Sequence, residues 1–187
     1  MADATRRVDP RPGRRRRRAK ALAVVGAATM AVIGLRAVAR GHHGLILINE
    51  TPSEPQGLYV RHREPIRRGT IVAFLAPPAA FPYADRRASY LRTVPIIKAV
   101  AAIAGDHVCT EGDALIIDGV RRASIRSHDS GGALLPRWIA CRDLRPGELF
   151  VYSDRVSNSF DSRYYGPVSV ARVQTYRPLI TTNGFGR

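Results

Sequence analysis

Beyond its first forty residues the chain is broken into short apolar runs by proline and glycine, and this pattern restricts the possible fold most. Residues 45–49, 70–75 and 148–152 are such runs, rich in Ile, Leu, Val and Phe. Residues 114–120 read Ala-Leu-Ile-Ile-Asp-Gly-Val. Asp-Gly between two apolar runs favours the tight turn of a β-hairpin. Long amphipathic helical patterns are not evident. The sequence therefore predicts a mainly β body, built as a barrel or sheet.

Two further segments of this body are predicted to form a strand and a loop. Val168, Val170 and Arg172 alternate with smaller residues, which predicts a strand over 168–176. Residues 76–83 contain three prolines and are predicted to form a loop.

The amino-terminal segment combines a basic run with an apolar stretch. Arg14 to Arg18 are consecutive arginines, and the fifteen residues 21–35 carry no charge. This order is typical of signal peptides and signal anchors. Roughly 20 apolar residues cross a bilayer. Arg36 can snorkel and extend the shorter stretch towards Ala39.

We therefore predict three parts: a basic cytoplasmic tail over 1–20, a transmembrane signal anchor over 21–39, and a periplasmic domain over 40–187. Ala37-Val38-Ala39 would allow cleavage after Ala39, but the charge of Arg36 favours an uncleaved anchor. Two alternatives are a nucleic-acid contact by the arginines and a buried helix of a soluble protein.

Composition excludes several classes of protein. The formal net charge is +15, and residues 1–40 hold eleven basic and two acidic residues, so the tail supplies most of the excess. A hydrophobic content of 45% excludes a wholly disordered chain. Two cysteines exclude a disulfide-dense miniprotein and a four-cysteine zinc site.

Cys109 and Cys141 are expected to form a disulfide in an exported domain, with two buried free thiols as the alternative. The five histidines show no metal-ligand spacing, so neither a metal nor a cofactor is expected.

Lysine is scarce in this chain, and its two positions are Lys20 and Lys98, against 28 arginines. Lys98 stands in an apolar stretch that runs from Val94 to Ala104. In a strand it would share a side with Ile96 and Val100, and burial there would lower its pKa. Such an amine can take a proton from a serine hydroxyl. The alternative is a lysine on the solvent face.

Ser53 lies in a segment that favours a rigid turn. Pro52 and Pro55 flank it, and Gly57 follows. A nucleophilic serine needs such a fixed hydroxyl, open to a substrate, although an ordinary Pro-Ser turn has the same local composition.

A third segment, residues 156–168, gathers Ser159, Asp161, Ser162 and Arg163. Small polar groups around one acid can orient other side chains. A hydrogen-bonded turn without a further role is the alternative.

Together these segments resemble the type I signal peptidase superfamily, and more narrowly the TraF-type signal peptidases of conjugative transfer. The resemblance covers most of residues 45–176. It rests on three ordered motifs: Thr51-Pro-Ser53 with Pro55-x-Gly57-Leu-Tyr59, then Lys98 followed by Gly105-Asp106-His-Val, then Ser159-Phe-Asp161-Ser-Arg163-Tyr-Tyr-Gly166-Pro-Val168. The resemblance implies a signal-peptidase-like β-barrel or sheet body behind an amino-terminal transmembrane helix.

The resemblance also implies a role for three residues. Ser53 matches the nucleophile and Lys98 the general base of a Ser–Lys dyad. Thr51 matches the hydroxyl residue that helps the Ser53 backbone N–H to form the oxyanion hole.

Further roles are implied for the third motif. Ser159 matches the serine that hydrogen-bonds the catalytic lysine, and Asp161 with Arg163 matches a supporting ion pair, whose aspartate the TraF group is regarded as needing. Glu54 departs from the methionine that leader peptidases usually carry there. Residues 153–155 replace a longer Gly-Asp-Asn-Arg lead-in. Both departures favour the TraF branch over housekeeping preprotein cleavage.

The resemblance thus implies a membrane-anchored serine endopeptidase that processes, and in one variant cyclises, a pilin precursor for conjugative transfer. Alternatives are a general type I signal peptidase and a non-catalytic assembly factor of the transfer apparatus. Expected partners are a pilin or preprotein substrate, the inner membrane and the type IV secretion machinery, with no specific nucleic acid.

Overall fold

The computed structural model of the protein describes residues 22, 24–27, 29, 30, 44–182, 184 and 185. The chain divides into two units, Met1–His43 and Gly44–Arg187. The described residues of the first unit are helical. No helix among the described residues is both long and apolar enough to span a bilayer. The predicted tail, and most of the anchor predicted over 21–39, lie outside the described residues.

The second unit is mainly β, as predicted. One antiparallel sheet has eight strands: β1 (Ile46–Asn49), β2 (Gly57–Arg61), β3 (Ile71–Phe74), β4 (Ile96–Ala102), β9 (Glu148–Val151), β10 (Val168–Ser169), β11 (Gln174–Thr181) and β12 (Gly184–Phe185). Their order across the sheet is β1-β2-β11-β3-β4-β9-β10, with β12 beside β11.

A second antiparallel sheet has four strands: β5 (His107–Glu111), β6 (Ala114–Ile117), β7 (Val120–Ser124) and β8 (Cys141–Asp143). Their order is β7-β6-β5-β8. The predicted hairpin is correct: β6 and β7 are joined by Asp118 and Gly119, with φ of 51° and 75°. Positive φ at both positions is what the tight hairpin turn requires.

Helices in the described part of the second unit are short. The α-helices there are α1 (Tyr83–Arg87) and α2 (Ser162–Tyr165), and 3₁₀ turns cover Pro78–Ala80, Ser89–Arg92 and Val170–Arg172. The loop predicted over 76–83 therefore contains one 3₁₀ turn and the start of α1, because proline is readily accommodated in a first helical turn.

The strand predicted over 168–176 is wrong in its middle. The Ser169 hydroxyl oxygen accepts a hydrogen bond of 3.3 Å from the N–H of Ala171, which starts the 3₁₀ turn. The chain thereby leaves β10, which pairs with β9, and re-enters the same sheet as β11. The segment predicted as one strand is therefore two strands, β10 and the start of β11, with a 3₁₀ turn between them.

Helix α2 lies between the two main cores. Tyr165 packs in the core of the eight-stranded sheet with Val72, Val100 and Leu149. Tyr164 packs in a second core, which the four-stranded sheet forms together with Ala102 of β4 and Phe150 of β9. Adjacent aromatic residues thus fix the segment of Asp161 and Arg163 between both sheets.

The expected disulfide joins Cys109 of β5 to Cys141 of β8, which are paired across the ladder. The same ladder pairs His107 with Asp143, and His107 Nε2 lies 3.3 Å from Cys109 Sγ on its own strand and 3.4 Å from Cys141 Sγ on β8. Strand pairing therefore gathers a group of potential metal ligands that sequence spacing did not indicate, but both sulfurs are bonded to each other.

Candidate active site

Asn49 organises the turn that carries Ser53. Its amide Nδ2 donates to the carbonyl oxygens of Thr51, Glu54 and Pro55 at 3.0 to 3.1 Å. Its Oδ1 accepts from the N–H and from the hydroxyl of Thr51. A buried side chain at the end of β1 thus supplies the hydrogen bonds that prolines remove from this segment.

Gly57 and Tyr59 lock the other end of the turn. The Tyr59 hydroxyl donates to the carbonyl of Pro55 at 2.6 Å. Gly57 has a φ of 150°, and a Cβ there would lie against the Ile180 carbonyl and 2.8 Å from Thr181 Cα. The backbone of β11 therefore leaves room for glycine alone at this point of the motif.

Strand β4 brings Lys98 to the turn. Lys98 Nζ lies 2.6 Å from Ser53 Oγ and 3.1 Å from the carbonyl oxygen of Ile97. Lys98 is 5% exposed. Its predicted burial on the side of Ile96 and Val100 is found in the structure.

Burial lowers the pKa of Lys98 below its ordinary value of 10.5, because a desolvated ammonium is disfavoured. The negative charges of Asp161 and Glu54 oppose this effect, and the Arg163 cation adds to it. The amine is therefore more easily neutral than a lysine in water.

Asp161 and Arg163 form the expected ion pair. Arg163 Nε and Nη2 each lie 2.8 Å from a different oxygen of Asp161. Asp161 also accepts from the backbone N–H of Ser153, and Arg163 donates to the carbonyl of Ser124. Both side chains are almost wholly buried, so the pair links the segment before α2 to β7 and to the end of β9.

Of the remaining predicted residues, Thr51 lies at the site and Ser159 does not bond the lysine. Thr51 Oγ1 is 3.4 Å from Ser53 Oγ, and it donates to Asn49. The hydroxyl of Ser159 is buried and has no hydrogen-bond partner among the described residues. Its carbonyl accepts a hydrogen bond of 3.1 Å from Arg163 Nη2.

The hydroxyl of Ser53 is less open than expected. Ser53 is 6% exposed, since Lys98 and Thr51 lie against it. Thr51 and Pro52 of the same turn are exposed, so the lysine covers the Ser53 hydroxyl and not the whole turn.

Two contacts at the site went unrecognised in the sequence. Ser153 Oγ donates a short hydrogen bond to the carbonyl oxygen of Ser53. Glu54 Oε1 accepts from the N–H of Ala99 at 3.0 Å. Asn49 was not predicted either. An asparagine just before a proline-rich turn is a usable signal, because its short side-chain amide can form hydrogen bonds with nearby backbone groups.

A mainly β body with a serine hydroxyl against a buried lysine amine resembles the arrangement expected of signal peptidases. The sequence model of the family described as "Signal peptidase, peptidase S26" matches residues 18–177. This match spans most of the chain, so the protein belongs to the peptidase S26 signal peptidase family. Family membership implies a serine peptidase.

Two relatives place the chain among TraF-type members of that family. It is 37% identical over 161 residues to the conjugal transfer protein TraF of Agrobacterium fabrum, covering 79% of this chain and 82% of the relative. It is 32% identical over 183 residues to the probable conjugal transfer protein TraF of Sinorhizobium fredii, covering 88% and 95%. Among solved structures, a signal peptidase I from Enterococcus faecalis has 21% identity and a TM-score of 0.38, covering 60% of this chain and 96% of that chain.

Proposed function

We propose that the protein is a serine endopeptidase in which Ser53 is the nucleophile and Lys98 the general base. The observation that carries this proposal is the 2.6 Å contact between Ser53 Oγ and the buried Lys98 Nζ. A base within hydrogen-bond distance of a hydroxyl is what activation of a serine requires. Membership of the peptidase S26 family supports the same assignment.

In the first half of the reaction, neutral Lys98 accepts the Ser53 proton while Oγ attacks a peptide carbonyl. The oxyanion is held by the Ser53 N–H and by the Thr51 hydroxyl, once that hydroxyl turns from Asn49 towards the substrate. One such donor contributes roughly 3–4 kcal/mol to transition-state stabilisation. Asp161 and Arg163 hold the α2 segment beside the lysine and do not exchange protons.

In the second half, the Lys98 ammonium donates a proton to the leaving amine. Water then attacks the acyl-enzyme, with Lys98 again as the base. If the substrate's own amino terminus attacks in place of water, the acyl group passes to that amine and the product is a cyclic peptide.

We propose that the substrate is a pilin precursor of a conjugative transfer system and that the enzyme works beside the type IV secretion machinery. The names of the relatives, conjugal transfer proteins, support this setting. The basic tail and apolar stretch support a single-pass anchor in the inner membrane, with residues 40–187 in the periplasm.

The test is mass spectrometry of the pilin precursor encoded with the same transfer system, after incubation with the full chain in detergent. We expect Ser53→Ala and Lys98→Ala each to lower the cleavage rate roughly 10⁴-fold or more. Lys98→Arg should be equally inactive, because a guanidinium stays protonated. A cyclic product would be one water lighter than the linear one.

Two matched controls accompany these variants. Ser157→Ala changes an exposed serine, and Lys20→Ala removes the other lysine of the chain. Both should cleave at the wild-type rate. Cleavage retained by Ser53→Ala in a folded protein would refute the assignment.

General signal peptidase activity is a second candidate, favoured by the description of the matching family. Rescue of cells depleted of their resident signal peptidase separates the two. We expect no rescue, because the proposed substrate is a single class of pilin precursor.

A further inference from the structure

Glu54 is a buried acid beside Ser53 and Lys98, and the proposed mechanism gives it no part. It follows Ser53 directly in the chain and is 5% exposed. Its Oε1 accepts the 3.0 Å hydrogen bond from the N–H of Ala99, the residue after Lys98. The carboxylate therefore joins the serine turn to β4 at the position of the lysine.

A carboxylate is costly to bury without a close cation. Among residues 44–182, no salt bridge to Glu54 is formed, and the cations that act on it are Lys98 and Arg155. Burial raises the pKa of Glu54, while the Ala99 N–H and both cations favour the charged form. A side chain kept there against this cost is a candidate for a role at the site.

Glu54 is the second acid that raises the pKa of Lys98, after Asp161. Three charged groups act on the amine: Asp161, Glu54 and Arg163. Asp161 and Arg163 pair with each other through both carboxylate oxygens, so their effects on a nearby charge oppose one another. On strand β3, the residue paired with Lys98 is Val72, which is uncharged. Glu54 therefore supplies the negative charge near the amine that is not bound to an arginine.

We infer that Glu54 is a positioning residue for the lysine base. Its carboxylate aligns the strand of Lys98 with the turn of Ser53, and its charge sets the pH at which the amine becomes neutral. The inference rests on the proposed function, since it assigns Glu54 a part in that reaction. Burial alone would leave a weak base, and a nearby carboxylate restores basicity, which keeps proton transfer from serine favourable.

The scarcity of lysine allows a direct measurement that does not depend on activity. In the full chain labelled with ¹³Cε-lysine in detergent, two signals arise, from Lys20 and Lys98. We expect Glu54→Gln to lower the titration midpoint of Lys98 by about 1 pH unit, the usual size for loss of one close opposite charge. Glutamine keeps an oxygen for the Ala99 N–H, so this variant removes the charge and retains the hydrogen bond.

Two variants complete the titration. Glu54→Asp keeps the charge and should leave the midpoint near that of the wild type. Glu50→Gln removes a charge from an exposed position of the same turn, where water screens it, and should change nothing. An unchanged Lys98 midpoint in folded Glu54→Gln would overturn the inference. If Glu54→Gln does not fold, Glu54→Met offers a neutral side chain suited to burial and is read in the same way.

The pH profile of kcat/KM connects this titration to the reaction. In Glu54→Gln the acidic limb should move to lower pH by the same amount as the Lys98 midpoint. A purely structural role would lower the rate at every pH without moving the limb, and that result would overturn the inference. Cleavage that survives Ser53→Ala would instead refute the proposed function, whatever the titration of Lys98 shows.

Discussion

Lys98 occupies a place that suits a neutral amine better than an ammonium. It is buried in β4, and its hydrogen bonds go to a serine hydroxyl and a carbonyl oxygen. Neither partner is an anion, and Asp161 is bound to Arg163. Because burial lowers the pKa of Lys98, the site should cost folding stability at a pH where lysine in the unfolded chain is charged.

We therefore expect Lys98→Met to raise the free energy of unfolding at neutral pH. Between the lowered pKa of the folded state and the ordinary value of 10.5, the unfolded wild type binds a proton that the folded wild type lacks. Wild-type stability therefore rises with pH through this window and levels off above 10.5. Urea unfolding at several pH values should show that the difference in unfolding free energy between Lys98→Met and the wild type shrinks as the pH rises towards 10.5. A difference that stays constant with pH would contradict the prediction.

For the Asp161–Arg163 pair we expect the opposite change in stability, because removing one partner leaves the other charge buried without a counter-ion. We expect Asp161→Asn to lower the free energy of unfolding by about 3 kcal/mol or more, since Arg163 stays buried without its anion. Asp85→Asn is the control, because it breaks a two-contact arginine pair at the surface. Chemical denaturation of the two variants should show a clearly smaller loss of unfolding free energy for Asp85→Asn. Equal losses would contradict the prediction that burial makes the Asp161–Arg163 pair more costly to break.

At the scale of elements, the sequence predicted what depends on neighbours along the chain. Strand β4, the β6–β7 hairpin and the rigid serine turn follow from local apolar runs, Asp-Gly and proline. Contacts between distant segments were beyond such reasoning. The buried Ser159 hydroxyl has no hydrogen-bond partner among the described residues, although local sequence gave no sign of this. The bond from Ser153 to Ser53 joins residues a hundred positions apart.

Gly57 tests one such distant contact. We expect Gly57→Ala to lower the free energy of unfolding by about 1–3 kcal/mol, because its Cβ would overlap β11 at Ile180 and Thr181. Gly69→Ala is a matched control: Gly69 also has a positive φ, 87°, but a Cβ added there would meet no atom within 4 Å. Thermal unfolding should show a larger loss for Gly57→Ala, and equal losses would assign the effect to φ alone.

At the scale of the whole second unit, the eight-stranded sheet supplies Ser53 and Lys98, but the packing around the candidate site involves both sheets. Ser53 and Lys98 are placed by the eight-stranded sheet. Asp161 lies just before α2. Tyr165 of α2 packs in the core of the eight-stranded sheet, and Tyr164 packs in the core that the four-stranded sheet shares with the ends of β4 and β9. Loosening of the four-stranded sheet should therefore reach the site through α2.

The disulfide offers a way to loosen that sheet without touching the site. Cys109 and Cys141 are 32 positions apart, and in the chain-entropy view a link of that span stabilises by about 3–4 kcal/mol. We expect the Cys109→Ser/Cys141→Ser double variant to lose about that much stability by urea unfolding. In buffer its cleavage rate should match the wild type, because Ser53 and Lys98 are held by β1, β2 and β4. As the urea concentration rises, the activity of the double variant should fall together with the NMR signal of Tyr164 in α2. Both should be lost at a lower urea concentration than in the wild type. Activity that outlasts the loss of the four-stranded sheet would show that the site does not need α2 to be packed against both cores.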